Sequence, residues 1–330
     1  MSADRRLLDP GRYLAGLLED VPELSRLAEV DVEILLNLDS TEMTPAEWGR
    51  LATHVAERMD RYDGFVVVHG TDTMAYSACA LSFAFRGLRK PVVLTGSQRP
   101  LRAIPSDARL NLVSAVDVAR RDVPEVGLFF GRHLFRGNRA RKASVERYDA
   151  FESPNYPPLA RVGLDVDLHP ALVRRPTEPF RLLRGFDARV AFEWCWPGAP
   201  AEALDRAVGA GARALVVAGF GTGNVPGGEG GWPGAIGRAT RAGVPVLLVS
   251  QSPHGSVRLP LYEGGRAALD AGAVPGADLT IEAAIVKTMH LLAQGEAGDA
   301  LRAAWTRDLA GEATVEPDAR AGSSPAPRSP

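Results

Sequence analysis

Gly64-Phe65-Val66-Val67-Val68-His69-Gly70-Thr71-Asp72-Thr73-Met74-Ala75-Tyr76 is the stretch that decides the fold. A short β-branched run stops near a glycine, a hydroxyl and a carboxylate follow, and a helix-like segment runs from Ala75 to Arg86. The pattern is that of a buried strand handing Thr71 and Asp72 to a helix N-terminus. In open α/β sheets, ligands sit at the carboxyl ends of strands. A helix N-terminus also favours the negative charge that builds when a carbonyl is attacked. Thr71 is therefore a candidate nucleophile and Asp72 a candidate orienting acid. Both are also ordinary helix caps, because their side-chain oxygens accept the first backbone N–H groups. The stretch alone leaves both readings open.

Working outward, apolar runs alternate with helix-like segments. Val32 to Leu38 reads as a strand, Pro45 to Asp60 as a helix, and Gly64 to Val68 as the next strand. Lys90 to Thr95, a helix over Ser106 to Arg121, and a strand over Glu125 to Phe130 continue the series. This rhythm predicts a doubly wound, mainly parallel sheet with helices on both faces. Proline is frequent from Asn155 to Pro200, where a return strand or hairpin is expected near Arg161 to Asp165. The alternation then resumes with a helix over Ala201 to Ala210, a strand over Ala214 to Ala218, and a helix over Pro233 to Ala242. A strand over Val244 to Ser250 and helices over Ile281 to Gln294 and Ala297 to Leu309 follow. The expected fold class is α/β with two domains: a larger one over 1–190, a linker over 191–200, and a smaller α/β domain over 201–310. Residues 311–330, rich in Ala, Pro and Ser, are expected to be disordered.

Composition narrows the function. Among 330 residues, 38 Lys and Arg face 40 Asp and Glu, a net charge of -2. That balance gives no electrostatic reason to expect nucleic acid or an anionic membrane as partner. Cys79 and Cys195 have no metal-ligand or disulfide-framework spacing. The histidines show no paired metal-ligand spacing, so no metal is expected, and no cofactor either. His69 reads as a packed or turn residue. Gly219 to Asn224 lacks the third glycine of a dinucleotide fingerprint. The start Met1 to Arg6 has no apolar signal segment behind it, and no apolar run reaches about 18 residues. A cytoplasmic location is expected.

Two further strand ends carry polar groups. Asp39-Ser40-Thr41-Glu42-Met43-Thr44-Pro45 precedes a helix that Thr44 caps, with Pro45 at its first position. Thr95-Gly96-Ser97-Gln98-Arg99-Pro100 ends another strand. Each reads singly as a cap or turn. Together they open on one face and converge with Thr71. The basic run Gly131 to Lys142 reads as solvated surface or as a phosphate site, and nothing intrinsic to it separates the two.

These segments resemble the bacterial type I, cytoplasmic L-asparaginases. The likeness rests on Asp39-Ser40-Thr41-x-Met43-Thr44-Pro45-x-x-Trp48, on Tyr62 to Met74, and on Pro91 to Gln98. Ser106-Asp107-x-Arg109-x-Asn111, Arg136 to Lys142, Asp149 to Leu159, Gly221 to Asn224 with Pro226, and Thr280-x-Glu282-Ala283 extend it. It implies an enzyme hydrolysing L-asparagine to L-aspartate and ammonia through a threonine-dependent acyl-enzyme. By resemblance, Thr71, Asp72 and Lys142 form the acid/base triad, in which Lys142 lowers the proton affinity of Thr71. Ser40 and Thr41 match residues that hold the α-carboxylate and α-amine, and Ser97 matches a further contact. Asn224 matches a residue that reaches a neighbouring subunit's site, so a homodimer or homotetramer is implied.

The chain departs from the pattern in one respect. The family opens with a strand and a Thr-Gly-Gly-Thr-Ile loop bearing the acyl-forming threonine. Met1 to Pro10 matches the segment behind that loop, and Gly-Gly-Thr occurs nowhere in the sequence. Low turnover by the 330 residues is therefore expected. The alternatives are an asparaginase-like amino-acid-binding protein that turns nothing over and a subunit of a tRNA-dependent amidotransferase.

Overall fold

The computed structural model describes residue 16, residues 19–228 and residues 230–314. Among these, the β-branched runs become strands and the amphipathic or apolar segments between them become helices. In the first half these are α1 (Pro45–Ala56), β1 (Phe65–Val68), α2 (Met74–Ala84), β2 (Val92–Thr95), α3 (Ala108–Ala119) and β3 (Val126–Phe130). After them come β4 (His133–Arg136), β5 (Arg141–Lys142), β6 (Phe151–Glu152), β7 (Ala160–Val162) and β8 (Val166–Leu168). The second half holds β9 (Val190–Trp194), α4 (Glu202–Gly209), β10 (Ala214–Gly219), α5 (Trp232–Arg241) and β11 (Val246–Ser250). It closes with α6 (Glu263–Asp270), β12 (Val274–Pro275), α7 (Ile281–Ala293) and α8 (Gly298–Trp305).

The first sheet has the order β1-β2-β3-β4-β7-β8. It is parallel through β1, β2 and β3, with Phe65 opposite Val92 and Val68 opposite Thr95. Beyond β3 it continues antiparallel. Strand alternation sends Phe65 and Val67 to a core shared with α1 and α2. Val66 and Val93 go to the opposite face, against α3. The second sheet, β9-β10-β11-β12, is parallel throughout. The expected α/β fold with a second, smaller parallel sheet is the one observed.

Helix α2 joins the halves. A helix apolar on all sides must be covered on all sides. Met74, Ala75, Ala78 and Leu81 meet the first core, while Cys79, Ala80 and Phe83 meet α7 and the second. Residues 308–314 form a strap across the same junction. Its carbonyls at Leu309, Ala310 and Gly311 accept from Arg86 (2.6 Å), Asn138 (3.0 Å) and Arg139 (2.7 Å). Glu312 is fully buried and paired with the equally buried Lys287 at 2.7 Å.

Four expectations change. Val32 to Leu38 is extended but not a strand, because no described strand lies alongside to pair with it. Side chains hold the segment instead: Glu33 bonds Arg58 at 2.8 Å and Asp31 accepts from Tyr62 at 2.7 Å. The linker expected over 191–200 contains most of β9, whose apolar residues pair in register with β10. Of the tail expected to be disordered, residues 311–314 are packed and bonded as just described, and 315–330 lie outside the described residues. The basic run is not a solvated surface throughout, since two of its arginines are inside the fold. Arg136 is buried and paired with Glu125 at 2.5 Å, and Arg139 is buried and paired with Asp278 at 2.8 Å. Among the described residues the short β1 pairs on one side only, and Val68 is 63% exposed.

Candidate active site

The site forms where β1, β2 and the β5–β6 hairpin end. Lys142 on β5 extends its ammonium between two residues of the loop after β1, Thr71 and Asp72. Its Nζ donates to Thr71 Oγ1 at 2.8 Å and meets Asp72 Oδ1 at 2.6 Å. Lys142 is largely buried, Thr71 half-buried and Asp72 exposed, so the cluster sits at the surface with one open side. Capping does not account for the threonines and the aspartate. The residue at the N-cap of α2 is Thr73, which makes no side-chain capping bond. Its hydroxyl instead donates to the Ser40 carbonyl at 2.6 Å.

That bond docks the Ser40–Glu42 turn onto the loop after β1. Ser40 is buried there. The approach needs glycine: a β-carbon on Gly70 would stand 2.7 Å from Ser40 Oγ. Thr41 follows Ser40 but faces elsewhere. Its N–H and hydroxyl both donate to Asp39 Oδ1 at 2.9 Å. The helix behind this turn starts with a capping box of Thr44 and Glu47, an arrangement that stabilises a helix end by about 1 kcal/mol.

Ser97 lies half-buried in the loop after β2. Its hydroxyl has no hydrogen bond among the described residues, while its neighbours are tightly held. The buried Asp107 carboxylate accepts Gln98 N–H at 2.9 Å and Arg99 N–H at 3.0 Å. Asn111, one turn further along, donates to that carboxylate at 3.1 Å and to Gly96 O at 2.9 Å. It also accepts Gly131 N–H at 3.0 Å, tying the loop after β2 to the end of β3.

Sequence reasoning passed over Gln98 as a site residue. Thr71 Oγ1 donates to its Oε1 at 3.2 Å, and its Nε2 donates to Arg147 O at 3.3 Å. Lys142, Thr71, Gln98 and the segment just after Lys142 thus close a ring of hydrogen bonds. Its position beside Ser97 was the available signal, but a neutral amide carries no charge to single it out. Asp107 and Asn111 entered the sequence reading only as residues of the family likeness, without a role.

Asn224 is not brought to the triad within the chain. It closes a turn on itself through Phe220, and its Oδ1 accepts Gly265 N–H at 2.9 Å in the first turn of α6. A cavity of about 480 Å³ beside α1, lined in part by Leu35, His54, Glu57 and Arg184, includes none of the predicted residues. Among the described residues no group of His, Cys, Asp and Glu is placed to hold a metal, and no helix is long and apolar enough to cross a membrane.

Chemically, the cluster offers a hydroxyl polarised by an ammonium and a carboxylate that stabilises that ammonium. Such an arrangement lowers the cost of taking a proton from the hydroxyl. Comparison with known proteins agrees in kind. Residues 1–174 match the family described as Asparaginase, N-terminal, and residues 189–304 match the Glutaminase/Asparaginase C-terminal domain. The chain is 37% identical to L-asparaginase 1 of Escherichia coli (strain K12) over 84% of its length and 83% of that protein's. It is 38% identical to a glutamyl-tRNA(Gln) amidotransferase subunit of Aeropyrum pernix, over 90% of this chain and 72% of that one. The crystal structure of L-asparaginase I from Vibrio cholerae superposes with a TM-score of 0.84 at 35% identity, covering 96% of this chain and 95% of that one. Matched in both halves of the sequence and in the architecture that joins them, the chain belongs to the asparaginase family.

Proposed function

We propose that the protein hydrolyses the side-chain amide of L-asparagine, giving L-aspartate and ammonia through an acyl-threonine intermediate. The observation that carries this is the Lys142 ammonium lying 2.8 Å from Thr71 Oγ1 and 2.6 Å from Asp72 Oδ1 at the strand ends. In the first step a threonine oxygen bonds to the amide carbon, the C–N bond breaks, and ammonia leaves with the hydroxyl proton. In the second, water adds to the ester carbon and the threonine recovers its proton. Lys142 and Asp72 carry the charge changes of both steps. Ser40 and Thr41 are read by resemblance as contacts for the α-carboxylate and α-amine, and Ser97 as a further contact, although the Thr41 hydroxyl is engaged by Asp39. A cytoplasmic homodimer or homotetramer in which Asn224 serves a neighbouring site belongs to the same reading.

The test is ammonia release from L-asparagine by the 330-residue chain, by Thr71→Ala and Lys142→Met, and by a form carrying a Thr-Gly-Gly-Thr segment ahead of Met1. Slow release by the chain and faster release by the extended form, by orders of magnitude, would give the acyl step to the added threonine and water activation to the triad. Full activity of the chain that vanishes in Thr71→Ala would give the acyl step to Thr71. If neither form released ammonia while the chain still bound asparagine, the hydrolase reading would fail in favour of an amino-acid-binding protein.

A further inference from the structure

Three polar side chains behind the site form a hydrogen-bond series whose direction is fixed by what each atom can do. Trp48 Nε1 lies 3.0 Å from Ser77 Oγ, which lies 2.9 Å from His69 Nε2. His69 Nδ1 lies 2.6 Å from the Gly70 carbonyl oxygen. An indole N–H only donates and a carbonyl only accepts. His69 therefore carries its hydrogen on Nδ1 and gives it to Gly70 O. Ser77 receives the Trp48 hydrogen and gives its own to Nε2. A neutral imidazole satisfies every contact. A second hydrogen on Nε2 would leave the Ser77 hydroxyl hydrogen without an acceptor in a spot that is fully buried. Burial lowers the proton affinity of His69, which favours the same neutral form.

We infer that Trp48, Ser77 and His69 act as a relay that sets the orientation of the Gly70–Thr71 peptide, making His69 a positioning residue for the reaction. In a trans peptide the C=O and N–H point in opposite directions. With Gly70 O turned to His69, the Thr71 N–H is turned away from it. That N–H has no partner among the described residues. It stands beside the Thr71 hydroxyl, just ahead of α2, where negative charge is favoured. The three members come from α1, α2 and the end of β1, so the peptide is held by three separate elements of the first half.

The kinetic part of this inference rests on the proposed amide hydrolysis; the structural part does not. The experiment uses the full chain, with imidazole nitrogen NMR, the Thr71 amide resonance and ammonia release measured together. Wild-type His69 is expected to show a protonated Nδ1 and a bare Nε2 at neutral pH. Ser77→Ala should give His69 a mixture of tautomers, move the Thr71 amide resonance, and lower kcat about tenfold with KM unchanged. The loss should be smaller than the hundredfold or more for removing a donor outright. Ser77→Cys, similar in size but a weaker donor, should fall between, which a purely structural role would not produce. A wild-type His69 protonated on Nε2, or a Thr71 resonance unmoved in Ser77→Ala, would overturn the relay. Absence of ammonia release by the wild type would count against the functional reading, while the NMR signals would still decide the relay.

Discussion

Lys142 is separated from Thr71 by 71 positions and stands in a run with Arg136, Arg139 and Arg141. Nothing in its own neighbourhood marks it, and only the resemblance singled it out. The structure explains why the run misleads: two of its arginines are buried structural ion pairs, and the lysine alone meets Thr71. Thr71 and Asp72 were legible because a glycine-ended strand placed them. Gln98 was not, because hydrogen bonding by a neutral amide leaves no trace in charge or periodicity. Its contacts give a prediction. Gln98→Met removes the acceptor for the Thr71 hydroxyl and the donor to Arg147 O. Losing bonds of this kind costs about 1–2 kcal/mol, so kcat/KM for asparagine should fall roughly tenfold. Steady-state ammonia release measures it, and an unchanged kcat/KM would show that the Thr71 hydroxyl orients without Gln98.

Elements follow from the sequence wherever local pattern and tertiary pairing agree. The runs ending at Val68, Thr95 and Phe130 each end on glycine-containing loops, and all three are strands. Val32 to Leu38 has the same local pattern yet no pairing neighbour among the described residues, which periodicity cannot report. Helix α6 escaped notice because Gly264 and Gly265 fall in its first turn, where glycine opposes helix formation by about 1 kcal/mol each. The strap over residues 308–314 has no periodicity at all; its side-chain partners impose its shape. Its Lys287–Glu312 pair is fully buried on both sides. Lys287→Met should therefore leave a buried carboxylate unpaired and destabilise the fold by about 3–5 kcal/mol. Replacing both, as Lys287→Met with Glu312→Leu, should cost less than the single change. Urea unfolding of the three proteins checks the order, and a double variant less stable than Lys287→Met would refute it.

The whole molecule turns on the junction of α2 and α7. His290 of α7 lies there between Phe83, with ring centroids 6.3 Å apart, and Phe186, at 5.6 Å. Burial lowers its proton affinity to about 4, from 6.5 in an exposed chain. Above about pH 6.5 folded and unfolded states both hold it neutral, and its protonation costs the fold nothing. As pH falls toward 4 the unfolded chain takes a proton that the folded protein refuses, so stability declines, by at most about 3 kcal/mol. The thermal midpoint should drop more steeply between pH 6.5 and 4 in the wild type than in His290→Leu; equal slopes would exclude this histidine as the cause. The other notable feature at this scale is the open side of β1. Phe65 to Val68 is uncharged and mostly β-branched, is bonded among the described residues to β2 alone, and leaves Val68 largely in solvent. An uncovered strand margin of that composition is a template for another backbone. Two such margins meeting in concentrated solution can pair edge to edge, so self-association of the purified chain is expected to begin at the strand that delivers Thr71.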